Sequence, residues 1–316
     1  MRALVFDREI EFRADYPDPV AAPDESIVRV SLAGICGTDL ELARGYMDFR
    51  GVPGHEFVGR VAATSNPALR GRRVVGEINV GCGRCALCAA GLGRHCPNRT
   101  VLGILGRDGA FADFLTLPDA NLIPVPDSVP DEAAVFVEPI AAAYEILEQI
   151  HLGRNRTIVV IGDGRLGGLV ALVLKSEKYL PLVAGHHPEK LRRLESLGLE
   201  TAAESGLRDR FDIAIDCSGS GTGFSRALEL VKPRGTIILK STAAVGGEIN
   251  LAPVVINEVT VLGSRCGRFQ PALDALASGK IDPRSLIDGT FTLAGGLGAF
   301  EAAADPLNFK ILLSPA

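Results

Sequence analysis

The sequence predicts a two-domain α/β protein, in which a small barrel-like β domain is followed by a doubly wound parallel sheet. Three observations predict this class. The chain has 316 residues, its first part contains mostly short strand patterns, and its middle part alternates strands with helices. A chain of this length suits two domains, each able to bury its own core.

The first part of the chain, to about residue 135, contains short apolar runs separated by glycine and proline. The predicted strands are RALVFD, SIVRVSLAG, EFVGRVAAT, RRVVGEI and ADFLTLP. Few helical patterns lie between them, which favours a small barrel-like β domain.

The pattern changes near Glu138, where EPIAAAYEILEQI spaces its apolar residues as a helix does. The apolar strand TIVVIG and the helical run LGGLVALVLK follow. Further strands are predicted in LPLVAG, FDIAIDCSG, GTIILKS and VTVLGS, with helices in PEKLRRLESLG and FSRALELV. This alternation is typical of a parallel, doubly wound sheet. The short tail after about residue 268 is expected to pack back on the first domain.

Composition excludes several classes of partner. The formal net charge of −5 argues against a nucleic-acid or membrane-surface role, since both require a basic face. The most apolar stretch, TIVVIGDGRLGGLVALVLK, is broken by charges and glycines, whereas a membrane span needs about 20 largely apolar residues. The first residues, MRALVFDREIEF, lack the apolar core of a signal peptide. We therefore expect a cytoplasmic protein, in which clustered cysteines indicate metal rather than disulfides.

Four cysteines lie close together in GCGRCALCAAGLGRHCPN, with the spacing C-x2-C-x2-C-x7-C. They are Cys82, Cys85, Cys88 and Cys96. Four thiolates with no open position describe a structural zinc site, which would hold a loop that has little core of its own. An iron–sulfur cluster and a redox thiol pair are the alternatives, but ferredoxin-type runs have three residues before the last cysteine rather than seven.

Three further motifs carry metal-binding and proton-transfer groups. GICGTDLE contains Cys36 and Thr38, GHEFVG contains His55 and Glu56, and VEPIAAAYE contains Glu138. Each motif alone is more often explained by packing, because a lone cysteine is usually a small buried residue and a lone histidine is usually surface or core.

The segment TIVVIGDGRLGG has the G-x-G-x-x-G spacing between a strand and a helix. Gly162, Gly164 and Gly167 form the motif, and Arg165 and Leu166 lie within it. The first glycine makes the turn, the second lets the backbone approach a pyrophosphate, and the third packs helix on strand. The alternative is a glycine-rich turn with no ligand.

Taken together, these motifs resemble the zinc-containing medium-chain dehydrogenase/reductase superfamily over essentially the whole chain. The closest branch is that of glucose, sorbitol and threonine dehydrogenase-like enzymes, where an E-P motif stands in place of a cysteine of liver-type alcohol dehydrogenases. The resemblance implies a GroES-like β-barrel catalytic domain over residues 1–137, with the structural zinc lobe at about 81–98. It also implies a Rossmann dinucleotide-binding domain over 138–268 and a segment, 269–316, that returns to the catalytic domain.

The same resemblance implies roles for individual residues. Cys36 and His55 match the ligands of the catalytic zinc, so two zinc ions are expected per chain, one catalytic and one structural. Glu56 and Glu138 match positions that either bind the zinc directly or lie just behind its ligands. Thr38 matches the hydroxyl that relays the alcohol proton. The chain departs from many relatives at Glu41, where they carry a histidine, so the role of that histidine is not carried over.

The expected acid at the end of the second strand of the nucleotide-binding sheet is missing. That carboxylate normally accepts a hydrogen bond from the ribose 2′-hydroxyl of NAD, and Gly185 stands in its place, followed by His186 and His187. Without the acid, repulsion of a 2′-phosphate is lost, and the two imidazoles or Arg192 could bind one. We therefore expect NADP rather than NAD, although both histidines are explained equally well as exposed turn residues.

Three more residues are weaker candidates for cofactor contacts. Cys217 ends a strand where ribose contacts often lie, although a small-residue turn explains it as well. Arg265 fits either a phosphate contact or an ion pair at a domain boundary. Lys310, in NFKILL, matches a basic position that reaches the cofactor in relatives, but a charge on an exposed strand face is the favoured interpretation.

The leading functional hypothesis is reversible oxidation of a secondary alcohol, in particular a polyol or sugar, by NAD(P) with catalytic zinc. A zinc-free quinone or enoyl-type reductase of the same superfamily is the first alternative, and counting zinc per chain distinguishes the two. The second alternative is a non-enzymatic NADP-binding protein on this scaffold. A nucleic-acid-binding zinc ribbon is disfavoured because aromatic residues do not alternate with the basic ones in the cysteine lobe. The expected partners are a small-molecule alcohol and further copies of the chain, as a dimer or tetramer.

Overall fold

The structure, a computed structural model, describes residues 1–241 and 249–315. It divides into two compact units. Unit 1 comprises Met1–Glu138 and Phe269–Ala316, and unit 2 comprises Pro139–Arg268. Each unit has its own sheet and its own buried core, and each is described separately below.

The described strands, in chain order, are β1 (Ala3–Asp7), β2 (Glu9–Arg13), β3 (Glu25–Gly34), β4 (Glu56–Ala63), β5 (Arg73–Gly76), β6 (Asn79–Val80), β7 (Thr100–Val101), β8 (Phe114–Pro118), β9 (Leu122–Pro124), β10 (Ile158–Ile161), β11 (Pro181–Gly185), β12 (Glu200–Ala203), β13 (Phe211–Asp216), β14 (Val231–Leu239), β15 (Thr260–Gly263), β16 (Ile287–Thr292) and β17 (Lys310–Ser314). The helices are α1 (Gly37–Leu42), α2 (Ala86–Ala89), α3 (Asp131–Ala134), α4 (Val137–Gln149), α5 (Arg165–Ser176), α6 (Pro188–Ser196), α7 (Gly223–Leu230), α8 (Ala252–Ile256), α9 (Phe269–Ala277) and α10 (Gly296–Ala304).

Unit 1 is built on a seven-stranded, mostly antiparallel sheet in the order β16-β17-β3-β4-β5-β9, with β8 also paired to β3. The long strand β3 alternates buried and more exposed residues, so Val28, Val30 and Leu32 face the core. The C-terminal strand β17 pairs antiparallel with β3 through Leu312 and Leu313. The end of the chain therefore completes the sheet that its beginning starts.

Unit 2 is a six-stranded sheet in the order β12-β11-β10-β13-β14-β15, and all its described pairs are parallel. All four residues of β10 are buried, as expected for a strand covered by helices on both faces. The strand order reverses at β10, because β11 lies on one side of it and β13 on the other. Ligands bind beyond the carboxyl ends of the strands at such a point. The predicted α/β class, with a doubly wound parallel sheet and a separate β domain, is confirmed.

The part of the chain that the structure describes contains no helix with the length and apolar character that crossing a bilayer requires.

Candidate active site

Cys36 is the N-cap residue of α1 and lies two residues after the end of β3. The Asp39 carboxylate turns back to this position, and its Oδ2 accepts a hydrogen bond of 2.7 Å from the backbone N–H of Cys36. This bond satisfies one of the donors that every helix start leaves open. The Cys36 sulfur then lies 4.0 Å from Thr38 Oγ1. The local sequence thus fixes thiol and hydroxyl side by side.

His55 and Glu56 reach the same place through sheet register. Glu56 opens β4 and pairs with Gly34, two residues before Cys36, in the antiparallel pairing of β3 and β4. One ligand atom from each of Cys36, His55 and Glu56 lies within 4.8 Å of the others. His55 and Glu56 are buried. A thiol, an imidazole and a carboxylate therefore converge in a partly dry site, and this donor set is one that zinc prefers.

The imidazole of His55 faces a second acid, because its Nδ1 lies 3.3 Å from Asp39 Oδ1. Burial opposes the charged form of His55, but the Asp39 carboxylate and the Cys36 sulfur outweigh it, so the pKa of His55 lies well above its ordinary value. Neither Asp39 Oδ1 nor His55 Nδ1 has a hydrogen-bond partner among the described residues. A histidine that binds metal through one ring nitrogen commonly directs the other to a carboxylate. The geometry therefore fits a metal ligand.

The Glu56 carboxylate forms an ion pair with the Lys310 ammonium, and both side chains are only 1% exposed. Lys310 Nζ is also 3.4 Å from the carbonyl oxygen of Ile35 and 5.5 Å from the centre of the Phe136 ring. The interpretation of Lys310 as a charge on an exposed strand face is therefore wrong. The alternation of β17 alone could not show that this strand is buried on both faces. A contact of Lys310 with the cofactor stays a prediction.

The structure does not place Glu138 in the group formed by Cys36, His55 and Glu56. Glu138 lies half-buried in the first turn of α4. Glu41 forms a 2.7 Å ion pair with Arg44 on the surface.

The four-cysteine lobe brings its sulfurs together. The sulfurs of Cys82, Cys85, Cys88 and Cys96 all lie within 4.8 Å of one another, with Cys85 3.5 Å from Cys88 and 3.7 Å from Cys96. A tetrahedral ZnS4 site with Zn–S bonds of about 2.3 Å has sulfurs about 3.8 Å apart. A hydrogen bond from the backbone N–H of Arg84 is the main cause that lowers the pKa of Cys82, to about 6. The distances between the four sulfurs fit a structural zinc ion.

The glycine motif of unit 2 has the geometry of a dinucleotide site. Gly162 follows β10 with a φ of +113°, and Gly164 precedes α5. A Cβ at Gly167 would overlap the carbonyl oxygen of Gly162, so this glycine permits close packing of helix on strand. By contrast, a Cβ at Gly164 would meet nothing within 4 Å. Open space therefore lies before the helix start, where a pyrophosphate binds. Arg165 and Leu166 form the first turn and are half-buried.

An acid occupies the space beside Gly185 after all. A Cβ at Gly185 would overlap the Asp163 side chain, whose Oδ2 accepts hydrogen bonds from the backbone N–H groups of His186 (2.8 Å) and His187 (2.7 Å). Residue 185 itself carries no carboxylate, as predicted, but the prediction that no acid lies at this place is wrong. Strand position alone does not show that the neighbouring glycine loop brings Asp163 into this space.

The remaining candidates for cofactor contacts are distributed around the same sheet edge. The His186 side chain is 66% exposed and its Nε2 lies 3.2 Å from Glu204, while the His187 ring contacts Asp163. Cys217 follows β13, and its backbone carbonyl lies against Gly162. Burial of the Cys217 thiol raises its pKa, so this thiol is neutral. Arg265 follows β15 and is exposed.

Sequence reasoning missed three parts of these sites. Asp39 lies within GICGTDLE and has no predicted role, although an acid three residues after a helix cap is a recognisable capping signal. Asp163 is only one of the charges that interrupt the apolar stretch around the glycine motif. The pairing of Lys310 with Glu56 had no local signal, because 254 residues separate the two positions.

Comparisons with known proteins agree with this geometry. Residues 22–127 match the family model of the alcohol dehydrogenase GroES-like domain, and residues 166–278 match that of zinc-binding dehydrogenases. The L-threonine 3-dehydrogenase of Chelativorans sp. (strain BNC1) is 30% identical, over 83% of this chain and 83% of its own.

Two solved structures share the fold over nearly the full length. An alcohol dehydrogenase of Escherichia coli CFT073, complexed with NADH, is 27% identical, with a TM-score of 0.88 and 99% of each chain covered. A protein of Sinorhizobium meliloti 1021 described as a zinc-binding dehydrogenase, bound to NADP, is 25% identical with the same TM-score and coverage.

The fold and the grouped donors define an oxidoreductase, namely an NAD(P)-linked alcohol or polyol dehydrogenase of the zinc type. The chain belongs to the zinc-containing medium-chain dehydrogenase/reductase superfamily. The expected cofactor classes, zinc and NAD(P), are thereby confirmed.

Proposed function

We propose that this enzyme reversibly oxidises a secondary alcohol group of a small polyol or sugar, using a zinc ion bound by Cys36 and His55. The observation that carries this proposal is the convergence of a thiol, an imidazole and a carboxylate within 4.8 Å, in residues that are far apart in the chain. A zinc ion held there supplies Lewis acidity towards a hydroxyl oxygen, and oxidised nicotinamide dinucleotide supplies the hydride acceptor.

The protein holds and tunes this centre with neighbouring charges. Asp39 orients the His55 ring from behind, and it fixes the Cys36 backbone through Oδ2. Glu56 is held by Lys310, which supports a position just behind the ligands rather than a permanent place among them. Glu138 is a further ligand candidate. It is not among the three residues whose ligand atoms all lie within 4.8 Å of one another.

Proton movement is assigned to Thr38. Its hydroxyl lies 4.0 Å from the Cys36 sulfur, so it stands next to the position where a substrate hydroxyl would approach the metal. A hydroxyl can accept and donate a proton at the same oxygen. Thr38 Oγ1 therefore takes the alcohol proton and passes it onward. Glu41 is turned to Arg44 on the surface, so it is not assigned to this step.

The Glu138-Pro139 motif is the feature that favours a hydroxyl-rich substrate, through the branch that it resembles. L-threonine is the second candidate, because a relative with 30% identity is an L-threonine 3-dehydrogenase. Its 3-hydroxyl is also a secondary alcohol. Recognition of threonine requires a cation for its carboxylate, and a neutral polyol requires none.

The test combines metal counting with a substrate panel. Purified enzyme is analysed for zinc and assayed with sugar alcohols, simple secondary alcohols and L-threonine, each with NAD⁺ and NADP⁺. We expect two zinc ions per chain and turnover of at least one polyol. Cys36→Ser should retain one zinc ion and lose about a thousandfold or more in kcat/KM, since several kcal/mol of charge stabilisation disappear.

Cys266→Ser is the matched control, because Cys266 lies outside both metal groups, and this variant should keep both zinc ions. Zinc-free, active enzyme would instead indicate a reductase of the zinc-independent type. Dinucleotide binding without turnover of any alcohol would indicate a non-enzymatic protein.

The proposal assigns catalysis to residues 1–137 with 269–316 and dinucleotide binding to residues 138–268. It places the enzyme in the cytoplasm, which is supported by free metal-binding thiols. It also assigns a dimer or tetramer. The apolar side chains of Val255, Ile256 and Val261 are exposed, and β15 lies at an edge of the described sheet. Light scattering on purified enzyme tests the oligomeric state.

A further inference from the structure

Asp163 is a buried acid inside the glycine motif, in the first variable position of Gly162-Asp163-Gly164. It is 5% exposed, and it points toward the end of the neighbouring strand β11. A side chain this polar is costly to bury unless its oxygens are satisfied. The hydrogen-bond partners of the Asp163 oxygens therefore determine which ligand groups this end of the sheet can bind.

The Asp163 carboxylate takes the donors at the turn between β11 and α6. Oδ2 accepts from the backbone N–H groups of His186 and His187, and Oδ1 lies 3.1 Å from the His187 ring nitrogen Nδ1. His187 is also the N-cap residue of α6, a helix of nine residues. The N–H groups that could otherwise receive an anion at this helix start are therefore already occupied by a carboxylate.

Gly185 and Asp163 are sterically coupled. Gly185 stands where the ribose-binding acid of NAD enzymes normally stands, and a side chain there would overlap Asp163. The chain therefore keeps an acid at this place but supplies it from the glycine loop instead of from the strand end. The absence of a side chain at Gly185 leaves the room that the Asp163 carboxylate occupies.

We propose that Asp163 is the residue that selects NAD over NADP in this enzyme. The inference rests on the proposed dinucleotide binding and names the residue that decides whether NAD or NADP is preferred. It also reverses the preference that the sequence suggested, since that preference assumed an empty position.

Two physical effects act in the same direction. A 2′-phosphate carries about −1.5 to −2 charges near neutral pH, so it is repelled by a carboxylate at this place. A 2′-hydroxyl is neutral and can donate. Both backbone N–H groups donate to Oδ2, and the His187 ring nitrogen lies 3.1 Å from Oδ1 and 3.2 Å from Oδ2. Oδ1 accepts from neither backbone N–H group, so Oδ1 is the oxygen that a ribose hydroxyl would contact.

The nearby cations keep this acid ionised. Lys190 is only 5% exposed, and its charge acts on Asp163. Partial burial raises the pKa of Asp163, but the hydrogen bonds from His187 and the charges of His187 and Lys190 outweigh it. The pKa therefore lies below its ordinary value and the group is ionised at neutral pH. His186 is paired with a second acid, Glu204.

The test measures binding without chemistry. Zinc-loaded enzyme is titrated with NADH and with NADPH in the absence of alcohol, and the ratio of the two dissociation constants is compared between variants. We expect NADH to bind the natural enzyme about tenfold or more tightly than NADPH. Asp163→Asn should shift that ratio toward NADPH by about tenfold, because it removes the charge while keeping the shape.

Asp212→Asn is the matched control. Asp212 also accepts a hydrogen bond from a backbone N–H, that of Thr157, but it lies at the amino end of β13, away from the ligand-binding edge. The Asp212→Asn variant also removes one negative charge from unit 2, and it should leave the ratio of the NADH and NADPH dissociation constants unchanged. A second variant, Asp163→Ala with Gly185→Asp, moves the acid to the strand end and should restore the preference for NADH.

Three results would overturn the inference. The natural enzyme could bind NADPH as tightly as NADH, through His186 or Arg192. Asp163→Asn could weaken both dinucleotides equally, which would make Asp163 a purely structural residue of the turn. Finally, if neither dinucleotide binds the natural enzyme, the proposed function fails together with the inference, whereas the first two results leave the proposed function intact.

Discussion

At the scale of single residues, the candidate metal centre depends on acids that do not themselves have to bind the metal. Asp39 contacts both the Cys36 backbone and the His55 ring, and Lys310 holds Glu56. Groups behind the ligands fix the orientation and protonation of the ligands, and they often affect metal affinity strongly.

Asp39→Asn tests this role directly. The amide can still accept the Cys36 N–H bond, but it carries no charge to support the His55 ring. We expect the affinity for the catalytic zinc to fall about 10–100-fold, while the zinc of the cysteine lobe stays bound. Competition with a chelator, followed by zinc analysis, measures this change. Glu41→Gln on the same helix removes a charge that is paired on the surface, and an equal loss of zinc in that control would contradict the assignment.

The ion pair between Lys310 and Glu56 gives a second prediction. Lys310→Met leaves the Glu56 charge buried without its partner, so the free energy of unfolding should fall by about 3–5 kcal/mol. Adding Glu56→Gln removes the uncompensated charge and should recover part of that loss. Urea unfolding of the natural enzyme and the variants measures both effects. If the double variant were less stable than Lys310→Met, the charge would not be the cause.

At the scale of elements, the loop between β10 and α5 shows that similar residues can be required for different reasons. Gly167 is needed for packing, since a Cβ there overlaps the Gly162 carbonyl oxygen. Gly164 has open space around its Cβ position and ordinary backbone angles, with φ −79° and ψ −175°. The fold does not require a glycine at position 164, so we infer that the missing side chain leaves room for a ligand.

Two alanine variants separate these reasons. Gly167→Ala should lower the free energy of unfolding by about 1–3 kcal/mol or more through overpacking. Gly164→Ala should change it by no more than about 0.5 kcal/mol, yet weaken binding of NADH. Thermal unfolding measures the change in stability, and a fluorescence titration measures the change in NADH affinity. Equal destabilisation by both variants would show that the two positions have the same role.

The cysteine lobe is a second element, and we expect metal binding rather than apolar packing to order it. Of residues 81–98, only Cys96 is buried, so apolar packing contributes little there. Cys88→Ser should therefore lose one zinc ion and make this segment sensitive to protease, while the sheet of unit 1 stays intact. Limited proteolysis with mass spectrometry locates the cuts. Protease resistance equal to that of the natural enzyme would mean that packing, not metal, orders the lobe.

At the scale of the whole molecule, both units contain carboxylates whose pKa lies below the ordinary value. In unit 2, burial raises the pKa of Asp212, but the hydrogen bonds from Thr157 and the charge of Lys232 outweigh it. In unit 1, the hydrogen bond and charge of Arg284 lower the pKa of Asp282 more than burial raises it. Such groups bind fewer protons when folded than when unfolded.

Stability should consequently fall in acid. A carboxylate with a lowered pKa stabilises the fold fully above its unfolded pKa of about 3.9, and this contribution disappears as the pH falls through the folded pKa. We expect the melting temperature to be nearly constant from neutral pH to about 5 and to drop below about 4. In Asp212→Asn the drop should be smaller. A melting temperature that rises on acidification would contradict this sign.

Much of the fold was predictable because its signals are local. The alternation of apolar residues gave β3, β4 and β8, and the parallel strands β10, β11 and β13 appear as continuous apolar runs. The short strands β6, β7 and β9 have only two or three residues, too few to show a period. A different limit applies to β17, whose residues Lys310 to Leu313 are all buried, so no alternation of apolar and polar residues marks an inner face.

The sequence by itself determined the types of chemistry: four cysteines at metal-binding spacing, a cysteine and a histidine in recognisable motifs, and glycines between a strand and a helix. Tertiary structure alone decided which groups meet. It joined Lys310 to Glu56, left Glu138 outside the group of three, and filled the space at Gly185 with Asp163. The reason is physical. Spacing along the chain fixes local geometry, whereas contacts between distant segments follow from sheet pairing and loop packing, which no single stretch of sequence encodes.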